Sequence, residues 1–462
     1  MRRSLVVAAV VGLAAAAGVA AWRLTRPAAP VSPQPLSVYF TCDLSGRIEP
    51  CGCFSGQHGG LTRISTVLAK APPHALIVDV GDALAGLEDY HVLQHRHLLA
   101  ACARLGFSAA NLGHREARLS ATQLRDLATA SPVPLLSSNV VDSATGEPVV
   151  RPWVVVEKGG IKYGLVGVTD PDRLDGEPDP TVKVLGMAES LRRGLEDVRP
   201  RADILLCLAF TDMSGLERLA REFYEIRFFL GGDVRQPSQS LAAVNQGWIL
   251  AVTNQSRALG EVHAQRSPLT GRLSEVRGDV TLMADTIAQD PAIEAFAKQY
   301  RQEARTAVLA IDRADDDRGD RIPGVKPAAE FVGSAACAGC HPQSFEIWSK
   351  SSHAHAFETL IRRGSEADPN CIGCHVIGFG EPSGYRRSMQ AERLTDVGCE
   401  SCHGPGSEHI RIAGATPPGQ PLPLSMRPVG AGQCVQCHHG EFSRPFHWEA
   451  FWPLIEHGKE RR

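Results

Sequence analysis

The chain has no marked excess of charge. Its 48 Lys and Arg stand against 51 Asp and Glu, a formal net charge of −3 over 462 residues. That balance gives no ground for a nucleic-acid partner or an acidic one. Internal repeats are absent outside the motifs described below, and low-complexity sequence is confined to the Pro/Ala segment from Arg26 to Pro35. Long apolar runs are scarce too. The exception is Leu5 to Trp22, preceded by Arg2 and Arg3 and closed by Arg23 and Arg26. A charged start followed by an apolar stretch is the pattern of an export signal. Val19-Ala20-Ala21 offers a small-x-small cleavage site, while the run is just long enough for a membrane anchor. Residues 1–24 are therefore expected to be a signal peptide or an anchor, and 25–35 a tether. Either reading places the rest in the periplasm or on the outer face of the cytoplasmic membrane.

Hydrophobic content of 43% and charged content of 21% are those of a globular chain, with length for two or three domains. The 13 cysteines are distributed unevenly, with eight between Cys337 and Cys437. These fall in four Cys-x-x-Cys-His segments: Cys337-Cys340-His341, Cys371-Cys374-His375, Cys399-Cys402-His403 and Cys434-Cys437-His438. The pattern is the c-type haem attachment signature. Two thiols add to the two vinyl groups of one haem, and the next residue offers its imidazole to the iron. A disulfide framework or zinc site would not explain a histidine after every pair. Four covalently attached haems are expected.

A haem that only moves electrons needs a second axial ligand. Methionine is scarce here: Met389 and Met426 are the only two in the tail. Six non-proximal histidines remain: His353, His355, His409, His439, His447 and His457. His/His ligation and low potentials are therefore expected.

Motif order adds more. Trp348-Ser-Lys-Ser-Ser-His353-Ala-His355 follows the first motif, the third continues Gly404-Pro-Gly-Ser-Glu-His409, and the chain closes with Phe446-His447-Trp448 and Ile455-Glu-His457. Over roughly residues 333–462 this resembles the tetrahaem cytochrome c-554 family. The resemblance implies stacked haem pairs in a mostly helical, haem-filled domain, set at residues 331–462. It implies His353 and His409 as distal ligands, with His457 added. It also implies that one haem can lack a distal protein ligand.

Residues 36–285 read differently. Leu36–Thr41, Ala75–Val80, Tyr163–Val168 and Ile204–Phe210 are short apolar, β-rich runs, and Gly60–Lys70, Tyr90–Leu105 and Ala188–Val198 have helical spacing. The expectation is an α/β domain with a substantial sheet. Thr41-Cys42-Asp43-Leu44-Ser45, Gly59-Gly60, Val80-Gly81-Asp82, Gly113-His114-Arg115-Glu116 and Gly231-Gly232-Asp233 follow in order. This order is similar to the calcineurin-like metallophosphatases, in their 5′-nucleotidase branch. The resemblance implies an α/β sandwich holding two metal ions on Asp, His and Asn at strand ends.

Several expected ligands are replaced. Asp43 and Asp82 match the two aspartates, but Ser45 stands for the first histidine. His114 and Arg115 stand for an Asn-His pair. Asp212 and Asp233 fall where metal-binding histidines are implied. Asp43, Asp82 and His114 remain as candidate ligands for one metal ion. Cys42, Cys51 and Cys53 crowd the first loop and are candidate redox thiols, metal thiolates or partners in a structural disulfide. Cys102 and Cys207 read as core cysteines. A helix and charged linker are expected over 286–330, in place of a nucleotide-recognition domain.

Three functions fit. The first is an extracytoplasmic multihaem cytochrome exchanging electrons with a redox centre or substrate on the N-terminal domain, and serving redox proteins or a quinone-linked chain. The second is a metal-dependent phosphoesterase with a cytochrome attached. The third is a non-catalytic module that docks the cytochrome.

Overall fold

The structure, a computed structural model, describes residues 32–50, 57–253, 255–313, 329–388, 391–417, 419–422, 426–439 and 445–458. The chain enters through Gln34–Thr41 (β1), where Leu36, Val38 and Phe40 face one side and Tyr39 the other, all buried. Three strands then pair parallel beside it: Leu76–Asp79 (β2), Ala109–Asn111 (β3) and Leu135–Leu136 (β4). Helices Leu61–Leu68 (α1), Asp89–Arg104 (α2) and Ala121–Ala130 (α3) supply the crossovers. Ser120 and Gln123 form a reciprocal cap on α3, satisfying donors the first turn leaves free.

Val140–Asp142 (β5) pairs with a later short strand, and the chain then builds a second sheet. Its members are Trp153–Lys158 (β6), Ile161–Thr169 (β7), Ile204–Phe210 (β9), Phe228–Gly231 (β10), Ala242–Val244 (β11) and Gly247–Ala251 (β12). Val182–Val184 (β8) is the partner of β5. Met187–Val198 (α4) and Met213–Glu222 (α5) cover the outer face. Ala258–Arg266 (β13) and Leu273–Leu282 (β14) return antiparallel to the first sheet. The two six-stranded orders are β14-β13-β1-β2-β3-β4 and β11-β12-β10-β9-β7-β6.

All seven residues of β9 are buried. Ile204, Leu206, Leu208 and Phe210 face the other sheet, and Leu205, Cys207 and Ala209 face the helices. A continuous apolar run is what a strand covered on both faces requires. The result is a four-layer α/β/β/α sandwich, as the sequence predicts. The helix expected after residue 286 is Pro291–Thr306 (α6). Its Ile293 and Ala297 join the core of the first sheet, so it packs onto the sandwich against α1 and α2.

The C-terminal region is helical and built of short pieces: Pro342–Ser349 (α7), Ala356–Arg363 (α8), Pro369–Ile372 (α9), Cys399–His403 (α10), Ser407–Ala415 (α11), Ala431–Cys434 (α12) and Trp448–Phe451 (α13). Its apolar cluster among the described residues is small, centred on Leu360, Ile372, Val376, Ile377, Tyr385 and Leu394. Among the described residues no helix is long and apolar enough to cross a membrane. Residues 1–24 lie outside them.

Candidate functional site

In open α/β sheets, ligand sites form where parallel strands end. Here β1, β2, β3, β7, β9 and β10 deliver Asp43, Asp82, His114-Arg115, Asp170, Asp212 and Asp233 to one edge. Asp43, Ser45 and Asp82 have φ of 47°, 47° and 63°. Such left-handed backbone costs of order 1 kcal/mol per residue and is kept where surroundings enforce it. Gly113 is required by closeness: a Cβ there would lie 2.2 Å from the Asp82 amide nitrogen.

The two sequence-predicted aspartates do come together, but around a guanidinium. Arg115 Nη1 lies 2.8 Å from Asp43 Oδ1 and 3.4 Å from Asp82 Oδ2. It also donates to Ser45 Oγ at 2.9 Å and to the Leu84 carbonyl at 3.0 Å. His114 Nδ1 is 2.8 Å from Asp82 Oδ2. Burial pushes the Asp82 carboxyl up to about 6, against the lowering pull of His114 and Arg115. Burial alone would lower His114, but Asp82 more than offsets it and its pKa rises.

This arrangement does not fit a metal ion. Asp43, Asp82 and His114 were expected to hold one, yet the position between the carboxylates is taken by Arg115. Among the described residues no group of three His, Cys, Asp or Glu is gathered to hold a metal. The second half of the edge repeats the theme. Arg173 binds the Asp233 carboxylate and lies 3.2 Å from Asp212 Oδ2.

Cys42 is unpaired and fully buried, its thiol 3.7 Å from the Gly81 carbonyl. Burial first, then the neighbouring carboxylates, raise its pKa well above the usual thiol value. A thiol so protonated and inaccessible is inert, which removes Cys42 from the redox candidates. Cys51 and Cys53 lie outside the described residues. Cys102 and Cys207 are buried core thiols, as expected.

In the helical region the predicted histidines meet in pairs. Ring centroids of His341 and His409 are 6.3 Å apart, those of His353 and His438 6.1 Å, and those of His403 and His457 5.9 Å. Two axial bonds of about 2 Å, plus about 1.2 Å from ring nitrogen to centroid at each end, would separate the centroids by about 6.4 Å. The spacing therefore fits an iron between each pair. His403 and His457 place Nδ1 against backbone carbonyls, Arg427 at 2.9 Å and Ile455 at 2.7 Å. Such a bond fixes the tautomer and leaves Nε2 for a metal. His375 Nδ1 is likewise 2.7 Å from the Ala356 carbonyl, but among the described residues no histidine ring stands opposite it. His355, His439 and His447 are exposed.

The motifs are neighbours. The Cys337 thiol lies beside that of Cys399, Cys374 beside Cys437, and Cys402 near Cys434. Their spatial order is first, third, fourth, second. A cavity of about 570 Å³ lies between the first and third motifs, lined by His341, His409, His403, His457, Phe345 and Trp348 among others. These residues fit haem groups: paired thiols, an imidazole beside each pair, and an apolar wall.

Sequence reading missed two features. Glu400, inside the third motif, is buried and accepts from the amides of Val332, Gly333 and Gly406 at 2.7 to 3.0 Å. It ties the start of the cytochrome region to the third motif. The signal was a carboxylate between two attachment cysteines, which alone says nothing of burial.

The second feature joins the two regions beside the second motif. Asp368 caps α9, which carries Cys371. Tyr300 of α6 donates to Asp368 Oδ1 at 3.0 Å, and His91 of α2 lies 3.1 Å from Asn370 Oδ1. Arg387 donates to the Ala304 and Ala307 carbonyls at the end of α6. Arg301 binds Glu49 and lies near Cys371. Burial lowers His91 to about 4, despite the Asn370 bond.

Comparison with known proteins agrees with both halves. Residues 336–404 match the model of the family "Cytochrome c554 and c-prime". Cytochrome c-554 of Nitrosomonas europaea is 39% identical over 93 residues, which are 17% of this chain and 40% of that protein. Among solved structures, the calcineurin-like phosphoesterase YfkN of Bacillus subtilis superposes with a TM-score of 0.51 at 18% identity, over 59% of this chain and 98% of that one. The sulfate thiohydrolase SoxB of Thermus thermophilus gives a TM-score of 0.51 at 16% identity, over 60% of this chain and 62% of that one. The chain thus joins a calcineurin-like phosphoesterase fold to a C-terminal segment similar in sequence to cytochrome c-554.

Proposed function

We propose that this chain is an exported tetrahaem c-type cytochrome that moves electrons between a site on its phosphoesterase-like domain and an outside redox protein or quinone-linked chain. The observation that carries the reading is the pairing of three motif histidines with His409, His353 and His457, at separations that fit bis-histidine iron. In this reading Cys337/Cys340, Cys371/Cys374, Cys399/Cys402 and Cys434/Cys437 hold the four haems. His341, His375, His403 and His438 are their proximal ligands. The haems supply one-electron chemistry; the protein supplies ligands, burial and order.

His375 is left as the single-ligand position. It belongs to the second motif, the one seated against α2 and α6 of the sandwich. Electron exchange with the N-terminal domain is therefore assigned to that end of the row. Cys51 and Cys53 follow Glu49, which Arg301 holds near Cys371. They remain the candidate redox thiols.

Hydrolysis is not the favoured reading, because Arg115 fills the position between Asp43 and Asp82. A second reading, in which the sandwich only docks the cytochrome, draws support from the buried polar contacts around Tyr300, Asp368 and His91.

The test combines haem counting with thiol labelling on the full chain. Pyridine haemochrome should give four haems per chain, and two or fewer would end the proposal. Cys51 and Cys53 should change labelling state when the haems are reduced and reoxidised. Unchanged labelling would leave the docking reading.

A further inference from the structure

The phosphoesterase-like fold implies metal cations at the strand ends, and the residues here do not fit them. The carboxylates have nevertheless been kept. Asp43 and Asp82 stand on left-handed backbone at the ends of β1 and β2, and Asp82 is fully buried. Two carboxylates this close need a compensating charge. Arg115 Nη1 provides it from among four oxygens: Asp43 Oδ1 at 2.8 Å, Ser45 Oγ at 2.9 Å, the Leu84 carbonyl at 3.0 Å and Asp82 Oδ2 at 3.4 Å. Four oxygens converging on one positive centre are the environment of a hard cation. Across the same edge, Arg173 reaches from the loop after β7 to Asp212 and Asp233. Both aspartates stand where the resemblance implies metal-binding histidines.

We infer that Arg115 and Arg173 are built-in cations, each replacing one metal ion, so that this domain keeps the geometry of a two-cation site without binding metal. A guanidinium cannot be deprotonated at working pH and donates in fixed directions. It can balance carboxylates, but it offers no exchangeable water to activate. The same substitution that closes the site to metal therefore closes it to metal-activated hydrolysis. Arg115 comes from the Gly113-His114-Arg115-Glu116 turn, and that turn is fixed in three ways. The Arg115 amide donates to Asp82 Oδ1 at 2.9 Å, Glu116 accepts from the Gly113 and Leu84 amides, and Gly113 admits no side chain.

The experiment uses the full-length haem-loaded protein, incubated with Mn²⁺, desalted and assayed for bound manganese by mass spectrometry. Native protein should retain well below one ion per chain. Arg115→Ala should retain about one, and Arg115→Ala with Arg173→Ala about two, the count of a dinuclear site. Arg115→Lys, which keeps a cation in place, should fold and stay manganese-free. If Arg115→Ala does not fold alone, refolding in Mn²⁺ should recover it. The inference is overturned by manganese bound to native protein and lost in Asp82→Asn. It is equally overturned by a folded Arg115→Ala that stays metal-free, or an unfolded one that Mn²⁺ does not recover.

Discussion

Removing the imidazole of His409 should create one additional open iron site and leave the others alone. The rings of His409 and His341 have an interplanar angle of 24° and centroids 6.3 Å apart, close to the about 6.4 Å expected for two imidazoles on one metal. On the proposed tetrahaem reading, the three such pairs seen among the described residues leave the fourth iron, that of His375, with a single histidine. The ferric native protein should therefore show one high-spin haem in four by low-temperature electron paramagnetic resonance. His409→Ala should raise this to two in four, and added imidazole should restore the native ratio. His353→Ala and His457→Ala should each do the same at the fourth and third motifs. His355→Ala and His447→Ala should change nothing, since those rings are exposed. Native protein with no high-spin haem would refute the assignment of His375. A His409→Ala variant with an unchanged spectrum would refute the pairing with His341.

Further predictions concern stability and pH. Glu400→Ala would orphan the buried amides of Gly333 and Gly406 at about 1–3 kcal/mol each; a denaturation midpoint unchanged from native would contradict that anchoring role. Tyr300→Phe removes one buried bond to Asp368 and should cost about 1–3 kcal/mol in chemical denaturation, with no change in haem content. His91, at about 4 in the folded chain against about 6.5 unfolded, binds its proton more readily after unfolding. Its effect is absent above pH 6.5. Stability is lost as pH falls from there to 4, by about 3 kcal/mol in all. His91→Gln should remove that part of the acid sensitivity, and parallel pH–stability curves for the two proteins would count against it. His114 has the opposite sign. Its pKa is raised, so its pairing with Asp82 stabilises below the unfolded value and is lost as pH rises through the folded one. A His114→Gln variant should show less loss of melting temperature on going alkaline.

The two architectures were legible because each rests on local pattern. Strand β9 is a run of seven apolar residues, and a run of that kind allows few alternatives to a strand buried on both faces. The haem motifs are legible for a stronger reason, since the spacing Cys-x-x-Cys-His is dictated by the chemistry of one macrocycle. The distal partners were only candidates in the sequence. Which histidine faces which motif depends on contacts such as His353 with His438, 85 residues away along the chain. The carboxylate edge was half readable. Asp43 and Asp82 could be found from their neighbours, but nothing local shows that Arg115 turns inward between them. Neither His91, on a helix, nor Glu400, between two attachment cysteines, carries a local signal of its partners. Both acquire meaning only from residues far away in sequence: Asn370 for His91, Val332 and Gly333 for Glu400.

The interface decides how the two halves relate. Had the sandwich been a passenger on a cytochrome, its contact with the helical region would be small and solvated. Instead Asp368, the residue that caps the helix bearing Cys371, is 6% exposed and takes the phenol of Tyr300, which is 2% exposed. Buried polar groups of this kind are costly unless their partners are held in register. The register here spans α2, α6 and the second motif at once. That is the motif whose His375 has no histidine opposite it among the described residues, and the others follow it in the order fourth, third, first. The row of motifs therefore has two unlike ends. One is fixed against the sandwich. The other, at Cys337 and Cys340, is partly exposed, and on the proposed reading it is the end from which an outside partner would draw or deliver electrons. If this direction is right, a bulky substitution beside Cys340, such as Ala338→Trp, should slow exchange with an added redox protein and leave reduction by a small diffusible reductant at its native rate. Equal slowing of both would show that the first motif is no separate port.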